Sequence, residues 1–143
     1  MTQVRDIMSK CAVTVRPETT LAEAAQLLAG HHVDGAPVVT ADRTLVGMIS
    51  ERQLLDILFD VAVRSAPVSE YMATDVQSVE PNESLVQVAQ LLALYSFRRI
   101  PVAEHGKLLG VVTRRDLMGY TLRTGSVLVD PLAELIPSVG QFA

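Results

Sequence analysis

Shifted against itself by 64 positions, this sequence repeats. Val4 falls on Val68, Met8 on Met72, Val15 on Val79 and Pro17 on Pro81. The run AQLLA from Ala25 to Ala29 falls on an identical run from Ala89 to Ala93, and Pro37-Val38 falls on Pro101-Val102. One extra residue in the first copy then changes the offset to 63, and Leu45, Gly47, Arg52 and Leu54 meet Leu108, Gly110, Arg115 and Leu117. The period is too long for the common solenoids, whose units run to about 50 residues. Two copies of a small domain remain: residues 1–60 and 68–121, joined by a linker at 61–67 and followed by a tail from 122.

Each copy carries the same string of signals. A short strand is expected at Ala12 to Val15 and at Val76 to Val79, followed by a proline and a helix start. Thr20 three residues before Glu23, and Ser84 three before Gln87, are capping boxes that satisfy free amides of a first helical turn. Behind them Leu21, Ala24, Ala25 and Leu28, matched by Leu85, Val88, Ala89 and Leu92, form the stripe of a half-buried helix. Two apolar runs around turn residues follow in each copy, Ala36 to Val39 with Leu45 to Ile49, and Ile100 to Ala103 with Leu108 to Val112; each pair reads as a β-hairpin. A second helix opens at Ser50 and at Thr113. The expected class is α+β, with two pseudo-symmetric β-α-β-β-α repeats packed sheet to sheet and helices outside, because one copy of about 60 residues buries too little surface alone. Ligand pockets favour the crevice in such a pairing.

Composition removes several classes of function. Apolar residues make up 49% of the 143, enough for a real core, but aromatics are only 4% and the formal net charge is −4. A base-stacking nucleic-acid reader needs aromatics on a basic field, so nucleic acid and anionic membrane are not expected partners. Cys11 is the single cysteine, which excludes an internal disulfide and suits a reducing compartment. No secretory leader opens the sequence and no run of about 18 apolar residues occurs, so a cytoplasmic protein is expected. His31, His32 and His105 lack metal-ligand spacing, and no nucleophile motif accompanies Cys11; neither a metal nor a catalytic residue is expected.

The second hairpin runs into GVVTRRD, Gly110 to Asp116, with Thr113 placed as N-cap and Asp116 in the first helical turn. With the repeat order and the GAPV and RIPV segments, this pattern resembles the cystathionine-beta-synthase (CBS) domain family, specifically a stand-alone tandem pair or Bateman module, over about Val4 to Thr121. The resemblance implies a regulatory ligand, an adenine nucleoside or nucleotide such as AMP, ADP, ATP or S-adenosylmethionine, in clefts between the repeats, with no separate cofactor. It also implies that Asp116 takes ribose hydroxyls and that Thr113 contacts ribose or phosphate, beside Val111. A carboxylate accepts two hydrogen bonds from vicinal hydroxyls, and a helix N-terminus favours an anion. The family's cross-packing implies that Lys10, Ala12, Val13, Val33, Asp34 and Pro37 complete this main cleft.

The first copy departs from the pattern. Its segment is GMISERQ, Gly47 to Gln53, in which Ser50 replaces threonine and Gln53 replaces the aspartate. The same family resemblance implies a second cleft that would join Ser50 and Gln53 with Thr74, Val76, Phe97, Arg98, Arg99 and Pro101. Both Ser50 with Gln53 and Thr113 with Asp116 also serve as helix caps without any ligand, and both uses stay open. The leading expectation is a homodimeric sensor that signals to a separate, unidentified protein. The alternative is a structural or dimerisation adaptor with vestigial clefts; an enzyme ranks last. The tail after Tyr120 has no counterpart in the first copy. Its Leu128, Val129, Leu132, Leu135 and Ile136 are apolar, and Pro131 is placed to open a short helix.

Overall fold

The computed structural model describes residues 2–10, 12–94 and 98–125. Among the described residues, four α-helices, α1 (Leu21–Gly30), α2 (Glu51–Leu54), α3 (Leu85–Leu94) and α4 (Arg114–Thr124), flank four strands taken in pairs, β1 (Gly35–Val39), β2 (Leu45–Ser50), β3 (Arg99–Glu104) and β4 (Lys107–Thr113). β1 pairs with β2 and β3 with β4. The hairpins and both helix pairs therefore stand where the alternation and the capping boxes place them. The expected strands at Ala12 to Val15 and Val76 to Val79 do not form. Each shrinks to one parallel bridge, Val15 to Val38 and Val79 to Val102, because only the last residue of each run reaches the hairpin edge. Tail residues from 126, including Leu128 to Ile136, lie outside the described residues.

Contacts divide the chain into two compact units, and the division does not follow chain order. One unit gathers 1–10, 78–104 and 109–143; the other gathers 11–77 and 105–108. The cause is the N-terminal arm of each copy. In the first unit Ser9 bridges Val111, with N–H···O distances of 2.9 and 3.0 Å, and Val4 N–H donates to Glu83 O at 3.0 Å. In the second unit Ala73 bridges Met48 at 2.9 Å both ways, and Val68 N–H donates to Thr19 O at 2.7 Å. Each arm thus completes the sheet that carries the other copy's hairpin.

The two cores are built from matching positions. One holds Val4, Val79, Leu85, Val88, Leu92, Ile100, Val102, Val112 and Leu117. The other holds Val68, Val15, Leu21, Ala24, Leu28, Ala36, Val38, Ile49 and Leu54. Position by position these are the repeat partners. Three pairs differ in size: Ala24 stands against Val88 and Ala36 against Ile100 in the alignment, and Ile49 against Val112. The other six pairs are identical, so the apolar pattern is kept in both units.

Local chemistry fixes the element ends. In α1, Thr20 Oγ1 accepts from Glu23 N–H at 3.2 Å while Thr20 N–H donates to the Glu23 carboxylate at 3.4 Å. The helix closes with His32 at φ 55° and Val33 N–H on Leu28 O at 3.1 Å. The second hairpin turns through His105 and Gly106, both at positive φ, as a two-residue type I′ turn demands.

In the second unit that turn meets the Thr40 to Thr44 loop. Lys107 Nζ donates to Asp42 Oδ2 at 2.7 Å, to Asp42 O at 3.1 Å and to Thr44 Oγ1 at 3.1 Å. Lys107, with Thr40 and Thr44 also donating, holds the Asp42 carboxyl well below the usual carboxylate range. A depressed folded-state pKa stabilises above the unfolded value of about 4 and loses that contribution as pH falls toward the folded value. Asp42→Asn should therefore flatten the acid limb. Its melting temperature, followed by circular dichroism from neutral pH downward, should decline less below about pH 4 than the parent's does.

Candidate functional site

In the first unit β4 passes directly into α4. Thr113 is both the last strand residue and the N-cap, with φ −123° and ψ 165°. Buried Val111 and Val112 anchor the strand end, and Leu117 anchors the first helical turn. Between them the box is half-exposed. Thr113 Oγ1 accepts from Asp116 N–H at 3.1 Å, and Asp116 Oδ2 accepts from Thr113 N–H at 2.8 Å. Arg114 N–H donates to Arg98 O at 3.3 Å, tying the segment before β3 to the helix start. An ionised carboxylate has about four acceptor sites, so the cap leaves Asp116 capacity for further donors.

The second unit repeats this backbone. Ser50 is the N-cap at φ −126° and ψ 162°, and Glu51 N–H donates to Asp34 O at 3.0 Å. The side chains differ. Gln53 Oε1 accepts from Ser50 N–H at 2.9 Å and from Ser50 Oγ at 3.3 Å. An N–H donor can only be met by the amide oxygen, so Gln53 directs its NH2 group away from the cap. The Asp116 box therefore offers acceptors and a negative charge; the Gln53 box offers donors and none.

Charge separates the two boxes further. Arg114, Arg115 and Asp116 follow Thr113, and Arg98-Arg99 lies at the start of β3; the matching sequence positions in the other copy hold Glu51, Arg52, Gln53, Asp34 and Gly35. Arg114 and Arg115 are the first two residues of α4, where the helix dipole disfavours cations and attracts anions.

The remaining expected residues are distributed by unit. Lys10, Arg98, Arg99, Pro101, Val111, Thr113 and Asp116 belong to the first; Ala12, Val13, Val33, Asp34, Pro37, Ser50, Gln53, Thr74 and Val76 belong to the second. Phe97 lies outside the described residues. Inside the first unit the chain brings Arg98 to the start of α4 through the 98–114 backbone bond, and inside the second it brings Asp34 to the start of α2. The carbonyls of Asp34 and Arg98 escaped the sequence reading as positioning groups. Their signal was the repeat itself, since 34 aligns with 98 and 51 with 114, so that the two bonds are repeat partners. Ser9 and Ala73 were missed as well; Gly110 and Gly47, aligned and otherwise unexplained, mark where those backbones approach.

Among the described residues, no group of three or more His, Cys, Asp or Glu is placed to hold a metal ion, and no helix is long and apolar enough to cross a membrane.

Two α+β units with matched cores and a capped strand-to-helix junction in each define a paired-repeat module. The chain belongs to the CBS domain family: the CBS domain model matches residues 4–60 and 68–123. A CBS domain-containing protein of Bacillus subtilis, YhcV, is 37% identical over 125 residues, spanning 82% of this chain and 84% of that protein. CBSX2, solved in complex with AMP, superposes with a TM-score of 0.80 at 30% identity, covering 88% of this chain and all (100%) of that one. The CBS domain pair of MJ0100, solved with 5′-methylthioadenosine and S-adenosyl-L-methionine, gives 0.73 at 26% identity over 87% and 98% of the two chains.

Proposed function

We propose that this chain is a non-catalytic regulatory module that senses an adenine nucleotide at the Thr113–Asp116 box and passes the signal to a separate partner protein. The observation that carries this is an acceptor carboxylate, Asp116, in the first turn of a helix whose first two residues are Arg114 and Arg115. The carboxylate suits the ribose diol, and the arginines and helix amides suit phosphate. The AMP complex of CBSX2 supports the ligand class. The arginines favour a phosphorylated ligand over S-adenosylmethionine, whose sulfonium is cationic. We assign Val111, two residues before Thr113, and Lys10, which follows the Ser9 that bridges Val111, to the same site, and a homodimer in the cytoplasm is the setting we infer.

Isothermal titration with AMP, ADP, ATP, adenosine and S-adenosylmethionine tests the reading. The expected order places a nucleotide at micromolar affinity, with adenosine and S-adenosylmethionine at least about tenfold weaker, the worth of one charge-assisted contact. Binding of none of them below millimolar concentration would overturn it. That outcome would favour the second reading, an adaptor whose boxes only cap helices; the Gln53 box, with its amide oxygen already saturated by Ser50, is the observation behind it.

A further inference from the structure

We propose that Thr2 and Tyr120 are positioning residues for the Thr113–Asp116 box, and that the N-terminal arm they fasten is coupled to what the box binds. This rests on the sensing role proposed above. All of the geometry lies inside the first unit. The arm, residues 2–10, is held at three places. Its middle crosses the head of α3, where Gln3 bridges Ser84, and Val4 and Arg5 N–H donate to Glu83 O and Pro81 O at 3.0 and 2.9 Å. Its far end pairs with β4, where Ser9 and Val111 exchange two main-chain bonds two residues before Thr113. Its near end reaches α4. Thr2 Oγ1 and Tyr120 OH share a hydrogen bond of 2.9 Å, and Tyr120 stands four residues, about one helical turn, beyond Asp116. The arm thus grips the strand before the box and the helix after it. The angle between β4 and α4 sets where the Asp116 carboxylate and the first amides of α4 point, and the arm spans that angle. A binding constellation tolerates only about 0.5 Å of displacement, so supports of this kind govern affinity.

The second unit shows that the fold does not require this hydroxyl pair. Its arm makes the same main-chain contacts: Pro67 bridges Thr20, Val68 and Ser69 N–H donate to Thr19 O and Pro17 O, and Ala73 pairs with Met48. At the positions of Thr2 and Tyr120 it has Ala66 and Ile57, which pack against the core. The hydroxyl pair therefore occurs in the unit whose box carries the carboxylate, and apolar contact replaces it in the unit whose box carries Gln53. Apolar packing is non-directional, whereas a hydrogen bond fixes both a length and an angle. The substitution adds direction to the arm where a ligand site needs it.

Amide exchange on the full chain, followed by NMR, tests the coupling. The Val111 N–H has Ser9 O as its partner, so its exchange reports arm docking directly. Without ligand, Thr2→Val and Tyr120→Phe should each speed Val111 exchange about fivefold, the worth of one hydrogen bond. In the parent, the tightest-binding of AMP, ADP and ATP, at about a hundred times its Kd, should slow Val111 exchange at least about tenfold; a ligand indifferent to the arm changes nothing. The Ala73 N–H, the matching amide of the second unit, should stay within about twofold. Titration gives the reciprocal reading. The Kd for the same nucleotide should rise about threefold in Thr2→Val and in Tyr120→Phe, and not in Tyr71→Phe, which deletes a hydroxyl from the other arm. A purely structural role would speed Val111 exchange in the variants yet leave that exchange blind to nucleotide and the Kd unchanged, and this result overturns the proposal. Failure of AMP, ADP and ATP alike to bind the parent would overturn the sensing reading, and the positioning role with it.

Discussion

Gly110→Ala should destabilise the protein by about 3 kcal/mol and lower its melting temperature by about 10 °C. A Cβ at Gly110 would stand 2.5 Å from Ser9 O and 3.2 Å from Ser9 C, and these are backbone atoms that no rotamer change can move. The arm must retreat, and with it go the two hydrogen bonds between Ser9 and Val111. Overpacking of this order costs about 1–3 kcal/mol and each lost backbone bond about 1. Gly47→Ala should cost less, about 2 kcal/mol, because its shortest contact, 2.6 Å, is to the flexible Met72 side chain, although Ala73 O at 2.9 Å still resists. Gly30→Ala is the control: nothing lies within 4 Å of its Cβ, and this α1 position should gain about 0.5 kcal/mol. Chemical denaturation of the three variants checks the order. Equal loss at positions 30 and 110 would mean that the arm's approach does not matter.

The exchanged arms explain what the sequence could and could not convey. Periodicity reports faces, so the nine matched core positions, the helix stripes and the hairpins were all legible, and capping chemistry marked the starts of α1, α3 and α4. Arm pairing is carried by main-chain groups of two residues, Ser9 and Ala73, which leave no side-chain pattern. Ala12 to Val15 looked like a strand because its composition is right. Composition does not supply a hydrogen-bonding neighbour, and only Val15 has one. At the site, the motif named the box residues, but the arginine contrast needed the backbone. Arg98 matters to the α4 start because its carbonyl receives Arg114 N–H, a contact that fifteen intervening positions conceal.

Asp116→Asn should separate ligand recognition from helix capping. Asparagine keeps an oxygen for Thr113 N–H, so the cap survives and unfolding free energy without ligand should change by less than about 0.5 kcal/mol. The charge and its acceptor capacity are lost. A hydrogen bond to a charged group is worth about 1.5–3 kcal/mol, so nucleotide affinity should fall roughly tenfold to a hundredfold. Thermal shift then amplifies the difference, since a ligand at a hundred times its Kd stabilises by about 2.7 kcal/mol and one near its Kd by about 0.4. The reciprocal change sharpens the test. Gln53→Asp restores the carboxylate, but Asp34 and Glu51 still surround that helix start with negative charge. It should therefore add no second nucleotide in titration, whereas Gln53→Asp with Glu51→Arg should. Full nucleotide affinity in Asp116→Asn would remove the carboxylate from the recognition chemistry. A second equivalent of nucleotide on the parent chain would show instead that donors at Gln53 serve as well as acceptors at Asp116.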